Sequence, residues 1–320
     1  MSISKSRSTL IWSGVVIVVA ALIAAGYVWT RLQRTEEFTG SREPVRMAFT
    51  SDVGTALLMV AREKGFLEQA GLDAEVKTYP SGSRALEGMF AGEEDISAPA
   101  DIPIVLAAFA RQDFRIVGTI SSADRYQKLV ARKDRGIQSP KDLKGKRIAT
   151  QKNSAVHYFL YLFLKNYGLS ETDVRLSFRK AEELPQALAN GEIDAFSMRE
   201  PYVSQARKLL GDKALIFDAP GLYVSTNSLV VTESFTREKP ETIRRILKAL
   251  VRAEEFASTH PQEARGIVAR GLGITDSEVS SAWTEHNLKV SLSHLLNSGL
   301  QNGAMWAMTT KLTDRTSPPR

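Results

Sequence analysis

Hydrophobic and polar positions fall into two similar blocks along most of this chain. The first begins at Arg46 (RMAFTSDVGTALLMVAREKGFLEQAGLDAEVKTYPSGSRALEGMFAGEEDIS). The second begins at Arg147 (RIATQKNSAVHYFLYLFLKNYGLSETDVRLSFRKAEELPQALANGEIDAFS). Each predicts the same order of elements. A short apolar strand (Arg46–Phe49; Arg147–Thr150) passes through a polar turn into an amphipathic helix. That helix ends at Gly71 or Gly168, suited to a left-handed C-terminal cap. An alternating strand follows (Ala74–Tyr79; Val174–Phe178), then a second helix. A Gly-Glu-x-Asp turn, Gly92–Asp95 or Gly191–Asp194, then leads into a third strand.

Strands alternating with helices imply α/β units on mostly parallel sheets, and two such units imply two lobes. Lys128–Ala131 and Asn227–Val231 read as further strands on either side of the second block. Lys239–Ala257 and Pro261–Arg270 read as helices. The expected division is one lobe from 44–131 plus 229–320 and an inserted lobe from 132–228. The chain then crosses twice between them, which makes a hinge.

Residues 9–30, TLIWSGVVIVVAALIAAGYVWT, carry no charge. A helix of that length spans a hydrocarbon core of roughly 30 Å. Trp12, Tyr27 and Trp29 sit near its ends, where membrane interfaces favour aromatics. A cleaved signal peptide is the competing reading, but its small residues would stand behind the apolar run rather than within it. Residues 1–35 are therefore expected to form a membrane anchor or signal segment, and a polar linker from Gln33 to Glu43 leads onward.

The net charge of +6 at first invites a nucleic-acid partner. Lys5, Arg7, Arg31 and Arg34 flank the apolar run with no acid among residues 1–35, so most of the excess belongs there. No nucleic-acid face is expected. The chain has no cysteine, which excludes thiolate metal sites, cysteine nucleophiles and a lipid-modified cysteine. Its four histidines (His157, His260, His286, His294) lack metal-binding spacing, so no metal or cofactor is expected. Phosphate-loop, dinucleotide and serine-elbow motifs fail as well, and the chain reads as a non-enzyme.

Ligands of open α/β sheets bind beyond the carboxyl ends of the strands. The repeat puts three loops of each lobe there: 50–55 with 151–155, 80–83 with 179–182, and 99–103 with 199–202. Ser81, Gly82 and Ser83 open one helix; Asn153, Ser154 and Ala155 open another. Both helix starts suit an anion, although serine and asparagine also serve as plain N-caps. Asp101 and Glu200 stand in the third loops and could accept from a ligand amine or from hinge backbone. Ser51 and Asp52 lie in the first loop, Lys152 and Arg199 flank the cleft, and Ser121 and Ser122 follow a strand at Phe114–Ile120.

With these elements in place, the chain resembles the sulfonate/nitrate/taurine-type substrate-binding proteins, a group that also holds binders of thiamine-pyrimidine precursors. The matching stretches are VAREKGFLEQAGLDAEV at Val60, YPSGSRALEGMFAGEEDI at Tyr79, LVARKDRGIQSPKDLKGKRIATQKNSAVHYFL at Leu129, ANGEIDAFSMREPY at Ala189 and TIRRILKALVRAEEFA at Thr242. The resemblance implies a two-lobed type II periplasmic-binding-protein fold. It also implies an extracytoplasmic, monomeric receptor that passes a small organic anion to an ABC transporter permease. The family's ligand-facing loops fall on Ser81-Gly82, Asp101, Asn153 through His157, and Glu200. Arg199 stands where members often carry an aromatic, which hints at a more acidic ligand. The alternative is an enzyme on the same fold acting on a pyrimidine or related small molecule.

Overall fold

The computed structural model describes residues 38, 40–292 and 294–319. The apolar run at 9–30 lies outside them. Among the described residues no helix is long and apolar enough to cross a membrane.

Two sheets organise the folded part, and their topologies match. In the first, strands β1 (Glu43–Thr50), β2 (Leu72–Tyr79) and β3 (Ile96–Ala98) are parallel, with β1 in the centre. In the second, β6 (Arg147–Thr150), β7 (Arg175–Phe178) and β8 (Ala195–Met198) repeat that arrangement around β6. Each trio is extended by antiparallel strands. β10 (Ser225–Thr232) pairs with β3 and with β4 (Phe114–Ala123), and the short β11 (His286–Asn287) joins β4 at the edge. β5 (Lys128–Arg132) pairs with β8 and with β9 (Ala214–Phe217).

This pairing corrects one expectation. Lys128–Ala131 does form a strand, but in the second sheet rather than the first, and β10 begins four residues before position 229. Both segments are apolar and extended, and that pattern does not say which sheet accepts them. The slot does: each sheet takes an antiparallel strand beside the third strand of its repeat. The first crossing is therefore the short segment 124–127, between β4 and β5.

The principal helices are α1 (Ala56–Glu63), α2 (Gly82–Phe90), α3 (Asp101–Ala110), α4 (Ala155–Asn166), α5 (Leu184–Ala189), α6 (Tyr202–Leu210), α7 (Pro240–Thr259), α8 (Pro261–Leu272), α9 (Asp276–Thr284) and α10 (His294–Thr309). α1, α7 and α8 bury Leu57, Val60, Ile246, Leu250 and Val268 with Met47 and Leu229 of the first sheet. α5 and α6 bury Leu184, Leu188, Val203 and Ala206 with Phe196 of the second. α10 reaches helices of both: Gly303 lies against Ile102 and Val105 of α3, while Trp306 packs on Tyr158 of α4 with ring centroids 5.2 Å apart.

The Gly-Glu-x-Asp turns do the same structural work twice. Gly92 and Gly191 take left-handed conformations, φ 76° and 74°, that suit glycine. Asp95 then accepts from the Arg46 amide at 2.8 Å and from its guanidinium at 2.7 Å, and its own amide donates to the Arg46 carbonyl at 2.9 Å. Asp194 treats Arg147 alike, at 2.9, 2.6 and 2.8 Å. The motif glutamate reaches the second strand's side, Glu93 to Lys77 at 3.2 Å and Glu192 to Arg179 at 2.6 Å.

Burial of Asp194 opposes its charge, and the bonds from Arg147 more than offset it, so the carboxyl sits below its ordinary value. Such a group stabilises the fold above its unfolded value, about 4, and ceases to do so as pH falls through the lower folded value. Asp194→Asn is expected to cost about 1.5–3 kcal/mol near neutrality, the usual worth of hydrogen bonds to a charged group. Urea unfolding at pH 7 and near pH 3 checks this, with the gap between variant and wild type shrinking in acid.

Candidate functional site

Between the carboxyl ends of the two sheets lies a cavity of about 310 Å³. β1 delivers Thr50 and Asp52 to its wall; the Thr50 hydroxyl donates to Asp52 Oδ2 at 2.8 Å. Gly54, one turn on, leaves space that a side chain would take from the Asp52 carboxylate and the Asn227 amide. After β2, Ser81 caps α2, accepting from the Arg84 amide at 3.3 Å. Gly82 is needed at the next position because a Cβ there would come within 3.0 Å of Pro99 and 3.2 Å of Pro103. The close approach lets the first-turn N–H groups of Gly82 and Ser83, which have no partner within the helix, face the cavity.

The second sheet supplies the opposite wall. β6 ends at Thr150, and Gln151 through Ala155 carry the chain into α4. Ser154 is its N-cap, accepting from the His157 amide at 3.4 Å while its hydroxyl donates to the Gln151 carbonyl at 2.6 Å. Arg199 follows β8 with 17% of its side chain exposed, and its Nη2 stands 3.5 Å from Asp52 Oδ2 across the cavity. Burial works against the guanidinium charge, and Asp52 and Tyr126 more than offset it, which holds the group above its ordinary value. Tyr126, from the first crossing, and Asn227, from β10, complete the inner end.

The cavity thus gathers two helix N-termini, one from each sheet, with Arg199 and Lys152. Asp52 and Glu87 are the carboxylates on its lining, and Glu87 is taken up by Arg84 at 2.7 Å. Peptide N–H groups, hydroxyls and a buried guanidinium together suit an oxyanion.

Of the expected site residues, Asp52, Ser81, Gly82, Ser83, Asn153, Ser154 and Ala155 line this cavity. Five others stand elsewhere. Ser51 is exposed beside it. Ser121 is buried, donating to the Gly54 carbonyl at 2.7 Å. Asp101 accepts from the Tyr223 hydroxyl and, at 2.9 Å, from the Ile102 amide. Glu200 accepts from the amide and hydroxyl of Ser204, both at 3.0 Å, and so caps α6. His157 lies beneath the Asn153 turn. The loop 179–182 contributes nothing to the lining, whereas Tyr126 and Asn227, absent from the expected set, do. Tyr126 lies in the first crossing and Asn227 on β10, and their place in the cleft follows from the sheet assignment.

Two matched α/β halves around a cleft define a protein with a periplasmic-binding-protein-like fold. The family model described as NMT1/THI5 like matches residues 53–264, and the chain belongs to that family. A putative aliphatic sulfonates-binding protein of Bacillus subtilis (strain 168) is 33% identical over 212 residues, which are 65% of this chain and 64% of that protein. The chain thus spans just under two thirds of that relative's length. The alkanesulfonate-binding protein SsuA of Xanthomonas axonopodis pv. citri, solved bound to MOPS, superposes with a TM-score of 0.77 at 22% identity, covering 88% of this chain and 98% of that one. The desulfurization enzyme DszB shares the fold with a TM-score of 0.63 at 18% identity, over 87% and 94% of the two chains.

Asp101 carries a prediction of its own. It is 1% exposed, and burial pushes its carboxyl up to about 7 against the bonds from Tyr223 and Ile102. In the unfolded chain an aspartate titrates near 4. Between these values the native state keeps a proton that the unfolded state has lost, so stability falls as pH rises and levels off above about 7. Asp101→Asn removes that slope. Urea unfolding at pH 5 and pH 8 should show the variant gaining on wild type by up to about 1.4 kcal/mol for each pH unit within the interval.

Proposed function

We propose that this protein is an extracytoplasmic receptor that captures a small organic oxyanion, an aliphatic sulfonate or taurine-like solute, for an ABC permease. The convergence of one helix N-terminus from each sheet and Arg199 on a single cavity carries this reading. A sulfonate remains ionised throughout the physiological range, and its three oxygens can accept from both walls at once. An anion held in this way ties the two halves together. The division into two lobes hinged at the crossings belongs to the same proposal, as does the monomeric state. The names of the sulfonate-binding relatives support the ligand class.

Likeness to a desulfurization enzyme makes catalysis the reading to set against this one. The cavity offers no cysteine. The Ser154 hydroxyl donates to a carbonyl, and His157 Nδ1 accepts from a backbone amide, so neither is arranged as nucleophile and base. Incubation with a candidate ligand followed by mass spectrometry separates the two: a receptor returns it unchanged, and a covalent change would establish an enzyme.

Residues 9–30 are proposed as an uncleaved anchor on the strength of their apolar length. The protein should then sediment with membranes and resist release by salt. A soluble form beginning after the apolar run would show cleavage instead.

Ligand binding is testable at Ser83. A carboxylate at Ser154 would meet the Gln151 carbonyl that the serine hydroxyl now bonds. Ser83 makes no such bond among the described residues, and an acid in the first turn of α2 suits the helix. Ser83→Asp should leave the melting temperature within a few degrees. Its affinity for ethanesulfonate should fall by about tenfold or more, since the ligand meets a fixed like charge. Calorimetric titration of both proteins decides, and unchanged affinity would place the anion elsewhere.

A further inference from the structure

Neighbouring side chains of a strand point to opposite sides, and β10 serves two cavities in this way. Asn227 lines the cavity described above, and Thr226 lines a second one of about 470 Å³. The two linings share no residue. α4 supplies Tyr158 and Leu162 to the second cavity, the segment between β9 and β10 supplies Leu222 and Tyr223, and α10 supplies Gly299 and Asn302. Two hydroxyls on this lining have no partner among the described residues. Thr226 is 8% exposed, and its Oγ1 is buried without a hydrogen bond. Rotation about χ1 can turn that hydroxyl toward a bound molecule without moving the strand. Tyr158 is 5% exposed, and no hydrogen bond engages its hydroxyl, whereas the adjacent Tyr223 gives its own to Asp101. Unpaired hydroxyls in the interior are costly, and such a group commonly marks a place where something else binds.

We propose that this cavity is a second binding site, for a neutral polyhydroxylated molecule with the chemistry of a sugar. The proposal stands apart from the oxyanion reading of the first cavity. Leu162 and Leu222 offer apolar surface, while Ser122, Asn287 and Asn302 offer both donors and acceptors. Lys289 is the one charged residue on the lining, and it is exposed. An ion carried inward to Thr226 and Tyr158 would lose its water without a buried counter-charge. A hydrocarbon would fit the leucines but leave both hydroxyls unpaired. A polyol avoids both costs. Each of its hydroxyls donates or accepts as the wall requires, and its C–H face rests on the leucines.

The test titrates glucose, sucrose and myo-inositol into the full chain, held in a detergent without a sugar headgroup. Cyclohexanol, a ring of similar size with a single hydroxyl, is the apolar comparison. At least one of the three polyols should bind with millimolar affinity or better, and more tightly than cyclohexanol. Thr226→Val and Tyr158→Phe each delete one unpaired hydroxyl at nearly constant volume. Neither breaks a bond within the fold, so melting temperatures should stay within a few degrees. Each should weaken polyol binding by about fivefold or more. Gly299→Phe fills the cavity from α10, where a Cβ would meet nothing within 4 Å, and should abolish binding. Failure of all three polyols to bind overturns the proposal. Wild-type affinity in both hydroxyl-deleting variants does so too, and polyol binding that survives Gly299→Phe would place the molecule elsewhere. Ethanesulfonate titrated into the same samples reports on the first cavity alone: if it does not bind, the receptor reading falls while the polyol results still decide this one.

Discussion

A carboxylate that holds both the backbone amide and the guanidinium of one arginine recurs in each half of the chain, and the cleft depends on it. Asp95 with Arg46, and Asp194 with Arg147, lock the entry of the third strand to the entry of the first. Parallel strands have no hairpin between them to set their register, so a fixed point at one end matters. With the entries pinned, the exits are placed too. At the exits of β1 and β6 stand Asp52 and the Gln151–Ala155 turn. The site is thus positioned from the far end of the sheets, by ion pairs that never approach it.

The same motif explains why so much of the fold could be read from the sequence. Glycine with positive φ, a glutamate reaching the second strand and an aspartate gripping the first-strand arginine are three separate requirements in four residues. Their recurrence marks the two halves. The crossings were less legible, because β5 and β10 have the same apolar, extended pattern, and only a vacant edge beside β8 or β3 distinguishes them.

The cavity was legible where chemistry and local geometry coincide. Ser81 and Ser154 are N-caps that follow the parallel strands β2 and β6, and a cap beyond the carboxyl end of such a strand lies on the cleft side of its sheet. Sequence reasoning failed where a polar residue answers to buried neighbours instead. Asp101, Ser121, Glu200 and His157 each lie one to three positions from a lining residue or crossing, yet each bonds to backbone or to another side chain away from the cavity. Nothing in the one-dimensional pattern separates a carboxylate that caps a helix from one that meets a ligand.

Arg199 shows how the walls can be prepared for an anion before one arrives. A guanidinium removed from water carries a large desolvation cost unless charge lies nearby. Asp52 supplies that charge across the cavity, but at 3.5 Å, longer than a close ion pair, and its Oδ2 is already shared with the Thr50 hydroxyl. The guanidinium has five donors, and this contact engages one of them. Asp52 therefore compensates the buried cation without saturating it. On the proposed reading, an arriving oxyanion would meet donors already partly desolvated, which is the condition under which a few hydrogen bonds give useful affinity. Removing Asp52 would strand the cation, and shortening its contact with Arg199 would take donors from the ligand.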